Sequence, residues 1–151
     1  MIVGVHHIAI GVSDLDTAIA FYTEAFGFDV VQTQTFDSNP MVDSAINLKN
    51  AKARMAMLKT PNNFIELWEY QNPPPKDLRS EPNDLGYPHF ALQVREIDKE
   101  YERLKACGMT FGGEPVHFSP EAAAIYGKDP FGNIIELYQI DSPDIPHLEE
   151  G

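Results

Sequence analysis

Apolar positions alternate from Val3 to Val12: Ile8, Ile10 and Val12 share one parity, and His7, Ala9 and Gly11 share the other. That period of two predicts a strand with one apolar face. The period then lengthens. Leu15, Ala18, Ile19, Tyr22 and Phe26 recur at helical spacing, and Gly27 closes the run. Ser13 reads as the N-cap of this helix, with Asp14 and Asp16 in its first turn. Phe28 to Phe36, Ala51 to Thr60 and Asn63 to Tyr70 read as further strands, and residues 40–50 leave a short helix open. Later in the chain, Tyr87 to Val94 reads as a strand, and Ile97, Tyr101 and Leu104 mark a helix that ends at Gly108. Strands near 109–118, 122–128 and 133–140 complete the pattern.

The order of elements repeats. H-H-I-A-I-G-V-S-D-L-D (6–16) aligns with P-H-F-A-L-Q-V-R-E-I-D (88–98), placing His7 on His89 at an offset of 82. F-I-E-L-W-E-Y (64–70) aligns with I-I-E-L-Y-Q-I (134–140), placing Glu66 on Glu136 at an offset of 70. Turn signals precede both, P-N-N (61–63) and D-P-F-G-N (129–133). The chain reads as one domain, 1–151, built from two copies of one unit: module one 1–70, a proline-rich connector 71–86, module two 87–140 and an acidic tail 141–151. The tail is expected to be loosely ordered or to lie across a partner subunit.

Side-chain parity separates two faces on each strand. Ile8, Ile10, Val12, Ile65 and Leu67 are expected under the first helix; Phe90, Leu92, Val94, Ile135 and Leu137 under the second. The opposite faces carry His7, Glu66, His89 and Glu136, beside small residues (Ala9, Gly11, Ala91) and aromatics (Phe64, Trp68, Tyr138). Small residues leave room for a bound molecule, and aromatics wall it in. Two imidazoles and two carboxylates form an N/O set suited to one divalent ion per chain: Zn, Ni, Co, Mn or Fe. Two carboxylates neutralise its charge, and four protein ligands on an octahedral ion leave two adjacent positions for neighbouring substrate oxygens.

Other residues read more plainly. Phe64, Trp68, Tyr126, Tyr138 and Arg54 are candidate substrate contacts, with sheet packing, or for Arg54 a solvated edge, as the alternative. Glu69 reads as an exposed sheet residue. His6, of the wrong parity, and His117, without a repeat partner, read as structural, and His147 has no assigned role. Cys107 reads as a small buried filler.

Composition narrows the function classes. The 151 residues are 43% hydrophobic and 23% charged, typical of a globular domain. Eleven basic residues against 23 acidic give a formal charge of −12, which argues against nucleic acid and anionic membrane as partners. One cysteine permits no intrachain disulfide. Without a basic leader or a long apolar run, the expected compartment is the cytoplasm.

The chain resembles the vicinal oxygen chelate superfamily of glyoxalase I, methylmalonyl-CoA epimerase, extradiol dioxygenases and fosfomycin resistance proteins. The motifs H-H-I-A-I-G-V-S-D-L-D-x-A-x-x-F-Y-x-x-x-F-G-F (6–28), F-I-E-L (64–67), H-F-A-L-x-V (89–94) and D-P-F-G-N-x-I-E-L (129–137) carry the resemblance. It implies an α+β fold: two paired βαβββ modules forming a curved mixed-sheet cup, helices outside, often in a homodimer. It also implies that His7, Glu66, His89 and Glu136 are metal ligands, a full set similar to the glyoxalase and epimerase branches. The arginine that commonly follows the first ligand of glyoxalase I is replaced here by I-A-I-G-V, which argues against glutathione. Methylmalonyl-CoA epimerase often has glutamine at the place of Glu66, and Lys49, Lys52 and Arg54 are the one local cationic cluster for a coenzyme A tail.

The expected function is therefore a metal-dependent glyoxalase-type lyase or isomerase. It would act on a small substrate with vicinal oxygens through an enediolate, with Glu66 or Glu136 moving the proton. The alternatives are a non-haem Fe(II) ring-cleaving dioxygenase and a non-catalytic protein that binds a small molecule or drug.

Overall fold

The computed structural model describes residues 1–79 and 81–149. They form a mixed α+β fold with two sheets of four and five strands, one in each of two compact units, Met1–Asp77 and Leu78–Gly151. The boundary between the units falls inside the proline-rich segment. No helix is long and apolar enough to cross a membrane among the described residues.

The first unit runs β1 (His7–Gly11), α1 (Leu15–Phe26), β2 (Asp29–Asp37), α2 (Pro40–Ile46), β3 (Lys52–Lys59) and β4 (Phe64–Asn72). Its sheet has the order β1-β4-β3-β2, with β1 parallel to β4 and the other pairs antiparallel. Helix α1 packs on β4, β3 and β2. Leu15, Ala18, Phe21, Tyr22 and Ala25 are its buried residues, and Ile10, Val12, Ala56, Leu58, Ile65 and Leu67 are buried on the strands and at the end of β1. Each large side chain buried here contributes about 1.5–3 kcal/mol.

The second unit runs β5 (His89–Val94), α3 (Ile97–Ala106), β6 (Thr110–Phe111), β7 (Val116–Ser119), β8 (Ala122–Lys128) and β9 (Ile134–Ile140). Its order is β5-β9-β8-β6, with β7 also paired to β8 and β5 parallel to β9. Ile97, Tyr101 and Leu104 of α3 are buried, as are Ile135 and Leu137 of β9. Each unit thus carries the βαβββ plan, with the short α2 inserted in the first and a strand divided into β6 and β7 in the second; α1 and α3 lie on the sheet face opposite the His–Glu pairs.

Several local expectations are corrected. The first strand begins at His7, not Val3, because its partner, β4, starts at Phe64. The N-cap of α1 is Asp14, not Ser13: the Asp14 carboxylate accepts from Thr17 N–H at 2.9 Å, the position a cap must reach. Gly27 ends α1 in the left-handed conformation (φ 69°), where a Cβ would be strained. The strand expected near 109–118 is two pieces, β6 and β7, separated by a segment containing Gly112, Gly113 and Pro115. Phe90, Leu92 and Val94 are half-buried rather than fully covered, and Cys107 is also half-buried. The acidic tail is partly anchored: Gln93 accepts from Leu148 N–H at 2.7 Å and donates to Leu148 O at 3.2 Å. Its last two positions, 150 and 151, lie outside the described residues.

Candidate metal centre

The two units build the same local device. In β1 and β4, Ala9 stands opposite Glu66, and His7 opposite Phe64. In β5 and β9, Ala91 stands opposite Glu136, and His89 opposite Ile134. Histidine and glutamate are thus diagonal neighbours across a parallel pair. The residue between them is alanine in both units, which leaves the diagonal open. His7 Nε2 lies 3.2 Å from Glu66 Oε2, and His89 Nε2 lies 3.3 Å from Glu136 Oε2. Both carboxylates are largely buried, with side chains 12% and 17% exposed.

Those separations suit two ligands of one ion. Metal–ligand bonds of about 2.0–2.2 Å give a nitrogen–oxygen edge of about 3.0 Å at octahedral and about 3.4 Å at tetrahedral angles. A neutral imidazole and a carboxylate are also the right chemistry for a borderline divalent ion. Each unit therefore carries a pair that fits half of the expected set. Among the described residues, no three His, Cys, Asp or Glu side chains form one cluster.

The surroundings of the pairs differ. His7 Nδ1 lies 2.9 Å from His6 Nδ1, and the His6 ring stacks on Phe64 at 4.9 Å. His6, read from sequence as merely structural, thus steadies the ring beside the first glutamate. His89 Nδ1 is buried without a hydrogen-bond partner, and its ring lies 4.8 Å from Tyr126. Glu66 Oε2 also accepts from Trp68 Nε1 at 3.0 Å. Trp68 stacks with Phe36 and Tyr70, at 5.6 Å and 5.3 Å.

In the second unit, Glu136 borders a cavity of about 510 Å³, lined also by Val116, Phe118, Ala124, Tyr126 and Tyr138. The Tyr126 phenol is held above its usual range by burial and then by the Glu136 charge; burial and then Glu66 do the same to Tyr70. Val116 and Phe118 escaped the sequence reading. Their signal was the alternation in V-H-F-S (116–119), which puts both on one face of β7.

Arg54 and Glu69 stand otherwise than expected, and His117 and His147 lie apart from the pairs. Arg54 stands on the helix side of β3, where its guanidinium meets Asp16 at 2.6 Å and Glu69 at 3.4 Å. It is therefore taken up by acidic partners and does not share the face of Glu66. Glu69 is not an exposed sheet residue: its side chain is 16% exposed and accepts from Leu15 N–H at 2.8 Å. His117 pairs with Asp98 at 3.1 Å, and His147 Nδ1 meets Ile145 O at 2.8 Å.

The turn that delivers Glu136 is built on Asp129, which is 3% exposed. Its carboxylate accepts from Phe131 N–H at 2.9 Å, Asn133 N–H at 2.8 Å and Asn133 Nδ2 at 2.9 Å. D-P-F-G-N is thus a folding motif that fixes where β9 begins.

A family model described as the Glyoxalase/Bleomycin resistance protein/Dioxygenase superfamily matches residues 4–137. A 2-epi-5-epi-valiolone epimerase of Actinomyces is 32% identical over 146 residues, covering 91% of this chain and 80% of that one. A lactoylglutathione lyase of Arabidopsis thaliana is 27% identical over 134 residues, and the match covers 88% of this chain but 43% of that enzyme. Among solved structures, a glyoxalase family protein from Bacillus cereus aligns with a TM-score of 0.84 at 27% identity, covering 94% of this chain and 97% of that one.

Proposed function

Because this chain belongs to the Glyoxalase/Bleomycin resistance protein/Dioxygenase superfamily, we propose that it is a metal-dependent lyase or isomerase of the glyoxalase type. Its substrate is a small molecule with oxygens on adjacent carbons. The observation that carries this reading is the repeated His–Glu pair, with its nitrogen–oxygen separations of 3.2 and 3.3 Å. His7, Glu66, His89 and Glu136 would together hold one divalent ion. The names of the epimerase and the lyase among its relatives support an enzyme that moves a proton beside a carbonyl.

The bound ion supplies Lewis acidity for the negative charge that develops on the substrate oxygens. A glutamate would take the proton from the carbon beside the carbonyl; the C–H electron pair becomes the carbon–carbon π bond and the carbonyl π pair moves onto oxygen. The same carboxylic acid would then deliver the proton to the former carbonyl carbon, while the hydroxyl proton passes to that carbon's oxygen and the carbon that lost its hydrogen becomes the new carbonyl. Ala9, Ala91 and Gly11 leave space for the substrate over the sheets, and the apolar walls of the cavity beside Glu136 offer it a surface to pack on. The chain is proposed to act as a homodimer in the cytoplasm. β2 is an exposed edge strand with Val30 and Val31 open, which a second copy would cover.

The test has two readouts. Metal analysis should find about one divalent ion per chain after reconstitution. Incubation in D₂O with 2-oxo and thioester substrates should place deuterium on the carbon beside the carbonyl. Oxygen uptake with a catechol and no deuterium exchange would replace this reading with a dioxygenase. Silence in both assays, with no metal bound, would leave a small-molecule binder. Light scattering at micromolar concentration checks the dimer.

A further inference from the structure

The two glutamates are not equivalent. Glu66 Oε2 is held from two sides, by His7 Nε2 at 3.2 Å and by the Trp68 indole N–H at 3.0 Å. The indole is itself fixed. It lies nearly parallel to both Phe36 (18°) and Tyr70 (13°) and stacks with each. Its cross-strand neighbour Met55 is buried. An indole N–H only donates, so it orients a carboxylate without competing for a cation.

The position matching Trp68 in the second unit is Tyr138. Among the described residues, neither Tyr138 nor any other donor but His89 Nε2 holds Glu136. Glu136 instead opens onto the cavity of about 510 Å³ whose walls include Phe118, Tyr126 and Tyr138. One carboxylate is therefore clamped at the sheet, and the other faces a space the size of a small substrate.

We propose that Trp68 is a positioning residue: through its indole N–H it holds Glu66 in the orientation of a metal ligand, an outer partner that Glu136 lacks among the described residues. This rests on the metal-dependent reading.

The experiment uses the full-length protein with Co²⁺ as probe. Affinity is measured by chelator competition, and coordination by the visible spectrum of the bound ion. Trp68→Phe keeps the aromatic stack and removes the donor. It should weaken Co²⁺ binding about 10–100-fold, the range for loss of an outer partner of a ligand. In a Glu66→Ala background the same change should cost nothing further, because its effect runs through Glu66. Trp68 is the chain's single tryptophan, so one indole N–H resonance reports on the bond without altering the ring. It should shift in Glu66→Ala and stay in place in Glu136→Ala. Unchanged Co²⁺ affinity in Trp68→Phe, equal losses in both backgrounds, or an indole resonance unmoved by Glu66→Ala would overturn the assignment. Failure of the wild-type protein to bind any divalent ion would overturn the metal-dependent reading itself.

Discussion

The Glu69 carboxylate accepts a hydrogen bond from the Leu15 backbone N–H at 2.8 Å, tying β4 to the first residue of α1. The second unit repeats the device with an amide: Gln139 Oε1 accepts from Ile97 N–H at 2.7 Å. Glu69 aligns with Gln139, and Leu15 with Ile97. In both units a strand side chain supplies an acceptor to the helix N-terminus, whose N–H groups lack partners within the helix. The bond reaches the helix from the face opposite the His–Glu pair, so it fixes which face of the strand looks where.

Glu69→Ala should destabilise the fold by about 1–3 kcal/mol, the cost of stranding a part-buried donor. Glu69→Gln should cost less than Glu69→Ala, since an amide does the same work at position 139. Urea unfolding checks both, with the midpoint falling and the slope unchanged.

The Asp16–Arg54 contact at 2.6 Å gives a pH prediction. The hydrogen bond from Arg54 lowers the Asp16 pKa below the ordinary carboxylate range; desolvation opposes it, and the Arg54 charge adds to it. A lowered folded pKa means the contribution is present above the unfolded value of about 3.9 and is lost as pH falls through the folded value. In Arg54→Ala, the Asp16 carboxyl should titrate closer to its ordinary value by NMR, and the fall of stability on acidification should become shallower because Asp16 no longer contributes to it. A titration of Asp16 unmoved by the substitution would refute the pairing.

Gly127 has no space for a side chain. A Cβ built there would stand 2.5 Å from one Phe111 ring carbon, 2.7 Å from another, and 2.8 Å from Met109 Cε. Gly127→Ala should therefore overpack the contact between β8 and β6 and cost about 1–3 kcal/mol. Thermal unfolding should show a lowered midpoint.

The cavity wall and the ligand pairs should separate in kinetics. Phe118→Ala removes an exposed aromatic that lines the cavity and is not one of the four expected ligands. It should raise KM several-fold and leave the metal content near one ion per chain. His89→Ala should instead reduce metal content sharply, and His117→Ala, at a histidine paired with Asp98, should not.

Much of the architecture was legible in the sequence because each unit repeats one alternation of periods: strand, helix, then strands. Parity alone put Ile65 and Leu67 on the buried face and Glu66 and Trp68 on the other. What the sequence hid were contacts made by side-chain reach across strands. Glu69 looked like a solvated charge, but its partner lies 54 residues away at a helix start. Arg54 looked free, but α1 brings Asp16 against it. The Trp68–Glu66 bond joins residues of one strand face, yet its direction depends on the stacked rings of Phe36 and Tyr70. Ser13 and Asp14 are both good caps by residue type, and only the dihedrals choose between them. The strand expected near 109–118 broke because two glycines and a proline outweighed its apolar alternation.

The diagonal placement of histidine and glutamate across a parallel strand pair sets how these units tolerate insertions and deletions. A slip of one residue in β4 against β1 would turn Glu66 toward the helix and expose Ile65 and Leu67 in its place. Residues 61–63, which set the start of β4, therefore cannot change length without losing both packing and the ligand pair. The exposed residues 74–79 and 81–86 set no strand's register. Length change accumulated over generations is expected there, while the short turns ahead of β4 and β9 stay constant in count even where their residues drift.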